Sequence, residues 1–136
     1  MKIETFQEYE IAYKKSVEDP TSFWGNIAEN FLWKKKWDQV VNWDFVNPEI
    51  KWFEGASLNI TDNCLDRHLI TQPDEPAIIW EPNDPEVEHV VLSYKVLHER
   101  VCRTANILKK NGVKKGDRVC IYMPMVPELS IALLAC

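Results

Sequence analysis

Glycine is scarce in this sequence, with four scattered positions among 136 residues. A phosphate-binding loop needs clustered glycines because its backbone must approach the phosphate closely, and neither GxxxxGK[ST] nor GxGxxG occurs. The GxSxG turn of hydrolases and the HExxH zinc motif are also missing. The chain therefore lacks the short motifs that usually indicate nucleotide binding, serine hydrolysis or zinc proteolysis.

Metal-binding residue types are few and dispersed. Four cysteines and three histidines are present: Cys64, Cys102, Cys120, Cys136, His68, His89 and His98. No two cysteines form a CxxC pair, which argues against a zinc site and against a disulfide framework. We predict that Cys64, Cys102 and Cys120, which lie in apolar stretches, are small core residues in a reducing environment.

Charge and hydropathy narrow the possible partners. A net charge of −5 gives no basic surface for nucleic acid. The one basic run, residues 34–36, lies between Trp33 and Trp37, and we interpret it as a solvated face. No apolar stretch is long enough to span a bilayer, and the first residues resemble neither a signal nor a transit peptide. We expect a cytoplasmic protein that contacts neither membrane nor nucleic acid.

Residues 1–70 read as helices followed by extended chain. Apolar residues at helical spacing predict a first helix over about residues 4–17, and Asp19-Pro20 suits the start of a second. An apolar stripe assigned to that second helix comprises Phe23, Trp24, Ile27, Phe31 and Leu32. Alternation predicts an extended segment over residues 37–47, with Val41, Trp43 and Phe45 on its apolar face. Gly55 then predicts a turn, and a short helix capped near Thr61 is expected next.

Residues 71–136 have an α/β pattern. Two β-prone runs predict a hairpin over residues 77–92, and Ser93 can cap the following helix. The buried stripe predicted for that helix comprises Tyr94, Leu97, Val101, Ala105 and Leu108, and Asn111-Gly112 ends it. Residues 119–123 are predicted as a strand covered on both faces. Another helix should begin at Pro127. The predicted fold class is α/β.

The last residues predict an incomplete fold. Residues 131–136 are apolar without a C-cap, and the strand-helix unit from residue 118 has no second strand for a parallel crossover. We expect either that the chain is truncated at residue 136 or that a partner covers this surface. In the isolated chain, the region 119–136 should self-associate or fray.

The residues that are capable of acid–base or metal chemistry do not assemble into a recognisable site. Asp62 and Asp66 could share a helix face, but two carboxylates alone make a poor metal site. His68 is interpreted as a hydrogen-bonded packing residue, and His98 as lying at the edge of the helix stripe. His89 is expected to be an exposed strand residue. No nucleophile, base and oxyanion hole come together, so no catalytic, cofactor-binding or metal-binding residue is assigned.

Several stretches together resemble acetyl-coenzyme A synthetases, of the adenylate-forming acyl-CoA synthetase superfamily. They are residues 51–55 (KWFEG), 58–59 (LN), 63–69 (NCLDRHL), 77–81 (AIIWE), 93–97, 101–106, 115–119 (KGDRV), 121–128 (IYMPMVPE) and 132–136. The resemblance covers nearly the whole chain and is weakest before residue 20. It implies an N-terminal arm over residues 1–70, and the beginning of the large AMP-binding α/β domain over residues 71–136.

The resemblance also implies a reaction for the parent enzyme. With magnesium present, acetate would attack ATP to give acetyl-adenylate and diphosphate, and coenzyme A would then displace AMP to give acetyl-CoA. The family's phosphate loop, acidic metal ligand, catalytic lysine and coenzyme A-binding arginines have no match in this sequence. This piece is therefore expected to be structural, inactive alone and without ligands of its own, its partner being the remainder of the parent chain.

Two alternatives stay open. A propionyl-CoA synthetase is the nearest rival, because residues that set acyl-chain length are not found in this chain. A second alternative, of a non-enzymatic class, is a stand-alone interaction module that uses the six tryptophans and the open strand-helix end to dock a partner.

Overall fold

The computed structural model describes residues 2–136 as a mixed α/β chain of two compact units, with the chain divided between Asn63 and Cys64. The first unit contains helices α1 (Phe6–Glu18) and α2 (Pro20–Ala28), strands β1 (Trp33–Lys35), β2 (Gln39–Asp44), β3 (Glu49–Glu54) and β4 (Ser57–Leu58), and most of helix α3 (Ile60–Cys64). The second contains a 3-10 turn (Asp66–His68), strands β5 (Pro76–Trp80) and β6 (Val90–Ser93), and helices α4 (Tyr94–Lys110) and α5 (Pro127–Ala135). No helix in the described residues is long and apolar enough to cross a membrane.

The first two helices begin where the sequence predicts. Thr5 and Glu8 form a capping box: the Thr5 hydroxyl accepts from the Glu8 amide at 3.2 Å, and the Glu8 carboxylate accepts from the Thr5 amide at 3.0 Å. Asp19 caps α2 by accepting from the Ser22 amide at 3.0 Å, with Pro20 as the first helical residue. Local capping chemistry therefore sets both starts.

The predicted stripe of α2 is too long. The helix ends at Ala28, so Phe31 and Leu32 lie outside it. Its last carbonyls accept from side chains beyond the end as well as from turn amides: the Asn30 side-chain amide donates to the Ile27 carbonyl at 3.1 Å, and the Trp33 indole donates to the Ala28 carbonyl at 2.8 Å. These bonds replace the helical pairing that a longer helix would have supplied.

An antiparallel hairpin follows, in which β2 confirms the predicted extended segment and β3 was not predicted. Val41 pairs with Trp52, and Trp43 pairs with Ile50. Asp44 closes the turn by accepting from the Val46 amide at 2.8 Å. The predicted apolar face is not the buried one, since Trp43 is 55% and Phe45 79% exposed.

The opposite face of β2 carries the buried residue Val40. It packs against α2 at Gly25, where an added Cβ would lie 3.3 Å from the Val40 side chain. The expected turn at Gly55 is confirmed by a φ of +78°, which suits glycine.

The segment from residue 59 to residue 69 differs from the single short helix predicted. Asn59, rather than Thr61, supplies the capping oxygen, which accepts from the Thr61 amide at 3.0 Å. Leu65 then leaves helical geometry, with φ −127° and ψ −65°, and separates α3 from the 3-10 turn. Asp62 and Asp66 therefore do not share one helix face.

The second unit has a small apolar core. Its buried members are Leu65, Leu92, Leu97, Val101 and Ile131. The predicted hairpin is confirmed as β5 and β6, which are antiparallel. The predicted Ser93 cap, the α4 stripe around Leu97 and Val101, and the start of α5 at Pro127 are also confirmed.

Two predictions for the second unit are wrong. Residues 119–123 do not form a strand, because no other segment in the described part of the chain pairs with their backbone. The cysteines are also exposed rather than core residues: Cys64, Cys102 and Cys120 all present surface to solvent. His89 is exposed, as predicted, but lies just before β6 rather than in it.

Candidate functional site

Three chemically capable side chains meet on the second unit. Asp66 begins the 3-10 turn, while His98 and Cys102 lie one helical turn apart on α4. The Nε2 atom of His98 is 3.6 Å from Oδ1 of Asp66 and 3.5 Å from Sγ of Cys102. We call these three residues the Asp66–His98–Cys102 cluster.

Asp66 contributes an unusual oxygen to this cluster. Its side chain is 44% exposed overall, yet its Oδ1 atom is buried and has no hydrogen-bond partner. A buried acceptor without a donor is unfavourable, and the nearby imidazole can supply a donor when Nε2 carries a proton. The two side chains are thus within ion-pairing distance of each other.

The cluster does not have the geometry of a catalytic triad. In a triad the histidine uses one ring nitrogen for the nucleophile and the other for the carboxylate. Here the same Nε2 atom of His98 faces both Cys102 and Asp66. Among residues 2–136, no group of three or more His, Cys, Asp and Glu side chains is arranged to hold a metal ion.

His68 has the structural role predicted for it. Its Nδ1 atom lies 2.8 Å from the side-chain amide nitrogen Nε2 of Gln72, and its ring packs against Tyr94 with centroids 4.8 Å apart. These contacts orient the imidazole within the fold.

Asp62 and Cys64 complete the group of residues that the sequence places near His68. Asp62 accepts from the Asn59 side-chain amide at 2.9 Å, so it supports the start of α3. Although Cys64 is exposed, partial burial raises the pKa of its thiol, and the negative charge of Asp66 also raises it. A raised pKa disfavours the thiolate, so Cys64 is a weak nucleophile.

The basic run is a solvated face, as predicted. Lys35 pairs with Asp38 at 3.4 Å, and Lys36 pairs with Glu29 and lies 5.8 Å from the centre of the Trp37 ring. Lys35 and Lys36 are thus each matched by a carboxylate on the same surface, and Lys34 is exposed to solvent. This run does not form an anion-binding site.

An open cleft beside the start of α4 is unsuited to phosphate. It has a volume of about 620 Å³ and is lined by residues 71–76 and Tyr94. Asp74 and Glu75 line it, and their carboxylates repel an anionic ligand. A second cleft of about 430 Å³ lies between the end of α4, residues 113–121 and α5, and its lining combines apolar side chains with Lys109, Lys114, Lys115 and Asp117.

Sequence reasoning missed the Asp66–His98–Cys102 cluster. The spacing of His98 and Cys102 on a helix was a usable signal, because residues four apart share a face. The approach of Asp66 from 32 positions away required the tertiary fold. The expectation that the chain has no catalytic residue stays a prediction.

Comparison with known proteins identifies the family of this chain. Residues 9–64 match the family described as acetyl-coenzyme A synthetase N-terminus, and residues 65–136 match the AMP-binding enzyme family. The acetyl-coenzyme A synthetase of Alkalilimnicola ehrlichii is 57% identical over 134 residues, and that of Halorhodospira halophila is 51% identical over 133 residues. These matches cover 97% and 96% of this chain and 20% of each relative.

A solved structure is similar as well. The acetoacetyl-CoA synthetase from Streptomyces lividans superposes with a TM-score of 0.79 at 32% identity, over 90% of this chain and 19% of that one. The chain belongs to the AMP-binding enzyme family. Within that family it corresponds to the N-terminal region of the acetyl-coenzyme A synthetases, and it spans about a fifth of the length of the relatives it matches.

Proposed function

We propose that the protein containing this chain is an acetate–CoA ligase. It would convert acetate, ATP and coenzyme A into acetyl-CoA, AMP and diphosphate through acetyl-adenylate, with Mg²⁺ bound to the nucleotide, in the cytoplasm. The observation that supports this proposal most strongly is 57% identity over 134 residues to a protein named acetyl-coenzyme A synthetase. That identity extends across both units of the chain.

The chain's own part in that reaction is structural. The sequence has no clustered glycines for a phosphate loop. The open cleft lined by residues 71–76 and Tyr94 is acidic, and the Asp66–His98–Cys102 cluster directs one imidazole nitrogen at both neighbours. Catalytic, nucleotide-binding and metal-binding residues of the parent would therefore lie outside these 136 residues.

We further propose that residues 1–70 form an arm and residues 71–136 begin the AMP-binding domain. The two family matches meet between residues 64 and 65, and Leu65 is fully buried in the core of the second unit. Both observations support a junction within or just before the segment 64–71.

The remainder of the parent protein is the partner that the surface of the arm fits. One face of the β2–β3 hairpin, with Pro20 beside it, is apolar and surrounds a cleft of about 270 Å³; it is lined by Pro20, Val41, Trp43, Phe45, Ile50 and Trp52. An exposed apolar patch of this kind marks an interaction site. The relatives are about five times longer than this chain, so the parent has ample additional protein to cover the patch.

Acetate-dependent release of diphosphate from ATP tests the enzymatic proposal. The 136-residue chain alone should give no release above background, while the full-length parent should give acetate-, coenzyme A- and Mg²⁺-dependent formation of acetyl-CoA. Turnover by the isolated chain would contradict the structural role, and an inactive full-length parent would contradict the ligase assignment.

Substrate preference separates the nearest alternatives. The full-length protein should have a higher kcat/KM for acetate than for propionate, and the reverse order would favour a propionyl-CoA synthetase.

A stand-alone interaction module is the second alternative, and the exposed apolar face of the hairpin is the observation that favours it. A native reading frame that stops after Cys136 would favour that module over the ligase.

A further inference from the structure

We propose that Cys102 is a modification site, at which a thiol assisted by His98 forms a mixed disulfide with a low-molecular-weight disulfide. This proposal does not depend on the ligase assignment. It rests on the contacts of the Asp66–His98–Cys102 cluster and on the difference between Cys102 and the other cysteines.

The thiol of Cys102 has a base within reach. Its Sγ atom lies 3.5 Å from Nε2 of His98, a hydrogen-bonding distance for sulfur. Both residues lie on α4, so the helix fixes their separation. Cys102 is exposed, so an electrophile in solution can approach its sulfur.

Asp66 provides the second part of the arrangement. When the thiol transfers its proton to Nε2, a positively charged imidazolium forms next to the carboxylate. The buried Oδ1 atom of Asp66, which lacks a hydrogen-bond partner, lies 3.6 Å from that nitrogen. Proton transfer would give this oxygen a charged donor, and the carboxylate would stabilise the imidazolium.

The other cysteines lack this arrangement. Burial raises the pKa of the Cys64 thiol, which reduces its thiolate population. Cys120 and Cys136 are exposed, and no histidine contacts either sulfur within the described residues. The chain therefore contains its own reference thiols.

The reaction balances without a further oxidant. The Cys102 thiolate attacks one sulfur of the small disulfide, a new S–S bond forms, and the original S–S bond breaks. The second sulfur leaves as a thiolate and takes the proton held by His98. The cysteine sulfur is oxidised while the departing thiol is reduced.

Site-resolved mass spectrometry of the 136-residue chain tests the proposal. With oxidised glutathione, Cys102 should be modified faster than Cys120 and Cys136, and brief treatment with iodoacetamide should give the same order. In His98→Gln the Cys102 rate should fall about threefold to tenfold, while the Cys120 rate stays unchanged. Asp66→Asn should lower the Cys102 rate in the same direction.

The matched control is His89→Gln, which changes an exposed histidine outside the cluster. It should leave all four cysteine rates unchanged. The proposal is overturned if Cys102 reacts no faster than Cys120, or if His98→Gln leaves the Cys102 rate unchanged. If the modification rates of all four cysteines rise equally in His98→Gln, that variant is unfolded. In that case Asp66→Asn decides, and an unchanged Cys102 rate in Asp66→Asn would overturn the proposal.

Discussion

At the scale of single residues, Asn63 shows how one buried polar side chain can organise a segment. Within the described part of the chain, Asn63 is the one polar residue that is buried. Its side chain bonds to the backbone of Leu32, 31 positions earlier in the sequence. Its Oδ1 atom accepts from the Leu32 amide at 2.7 Å, and its Nδ2 atom donates to the carbonyls of Leu32 and Asn59, both at 3.1 Å. The side chain thus ties the backbone at Leu32 to the start of α3.

Replacing Asn63 with alanine should therefore destabilise the first unit. Asn63→Ala leaves the Leu32 amide and two carbonyls without these partners, and we expect the free energy of unfolding to fall by about 1–3 kcal/mol. Urea denaturation followed by tryptophan fluorescence measures the change. The control is Asn106→Ala, an exposed site on α4 where we expect a change within about 0.5 kcal/mol. Equal effects at both sites would contradict this role for Asn63.

The Asp19 carboxylate makes the stability of α2 depend on pH. Hydrogen bonds from the Ser22 side chain and backbone lower the pKa of Asp19. Because the folded-state pKa lies below the unfolded value of about 3.9, the cap stabilises the helix above that pH. Its contribution is lost as pH falls through the lower folded-state value.

The carboxyl carbon of Asp19, followed by NMR during an acid titration, should have its midpoint below the ordinary aspartate value. Ser22→Ala removes the larger of the two causes, so the pKa of Asp19 should rise while staying below that ordinary value. Ser16→Ala is the control, because the Ser16 hydroxyl donates to the Tyr13 carbonyl instead. A midpoint unaffected by Ser22→Ala would show that its hydroxyl is not the cause.

At the scale of elements, local signals predicted helices better than strands. The starts of α1, α2, α4 and α5 follow from caps and prolines within a few residues, and all four agree with the structure. Strand β3 and the unpaired residues 119–123 depend on pairing partners that a local pattern cannot specify. The end of α2 depends on Trp33, five residues beyond the carbonyl it caps.

Trp33 connects α2 to the strands, and its hydrogen bond can be separated from its packing. The ring contacts Trp37 and Phe53, with centroids 5.2 and 5.4 Å apart, while the indole donates to the Ala28 carbonyl. Trp33→Phe keeps an aromatic ring but removes the donor. We expect a loss of about 1 kcal/mol in the free energy of unfolding.

The control for this change is Trp43→Phe. Trp43 is more than half exposed and its indole makes no hydrogen bond in the described structure, so we expect a change within about 0.5 kcal/mol. Both free energies come from urea denaturation followed by circular dichroism. Equal losses would mean that ring size, rather than the bond to Ala28, determines the cost.

At the scale of the whole molecule, family and α/β class could be predicted from the sequence, whereas the candidate site could not. The order of the motifs along the chain indicates the family, and the hydrophobic periodicity indicates the α/β class. The Asp66–His98–Cys102 cluster depends on a contact between the 3-10 turn and α4. The spacing of these residues in the sequence does not predict that contact. Similarly, apolar composition predicted buried cysteines, but burial depends on how much protein surrounds each residue.

Residues 119–123 provide the sharpest test of what the rest of the parent contributes. Tyr122 is fully exposed and Met125 is 81% exposed, and the backbone of residues 119–123 has no strand partner in the described chain. In the isolated chain their amides should exchange with solvent rapidly, while amides in the middle of α4 exchange slowly. In a full-length parent, exchange across Val119–Met123 should slow by at least about tenfold, because a neighbouring strand would pair with their backbone.

Hydrogen-exchange mass spectrometry of both proteins measures the difference, with the α4 peptide around Leu97 and Val101 as the internal reference. Full protection of residues 119–123 in an isolated monomer, or equally fast exchange in the full-length protein, would contradict the expectation that they complete a strand only with the rest of the enzyme.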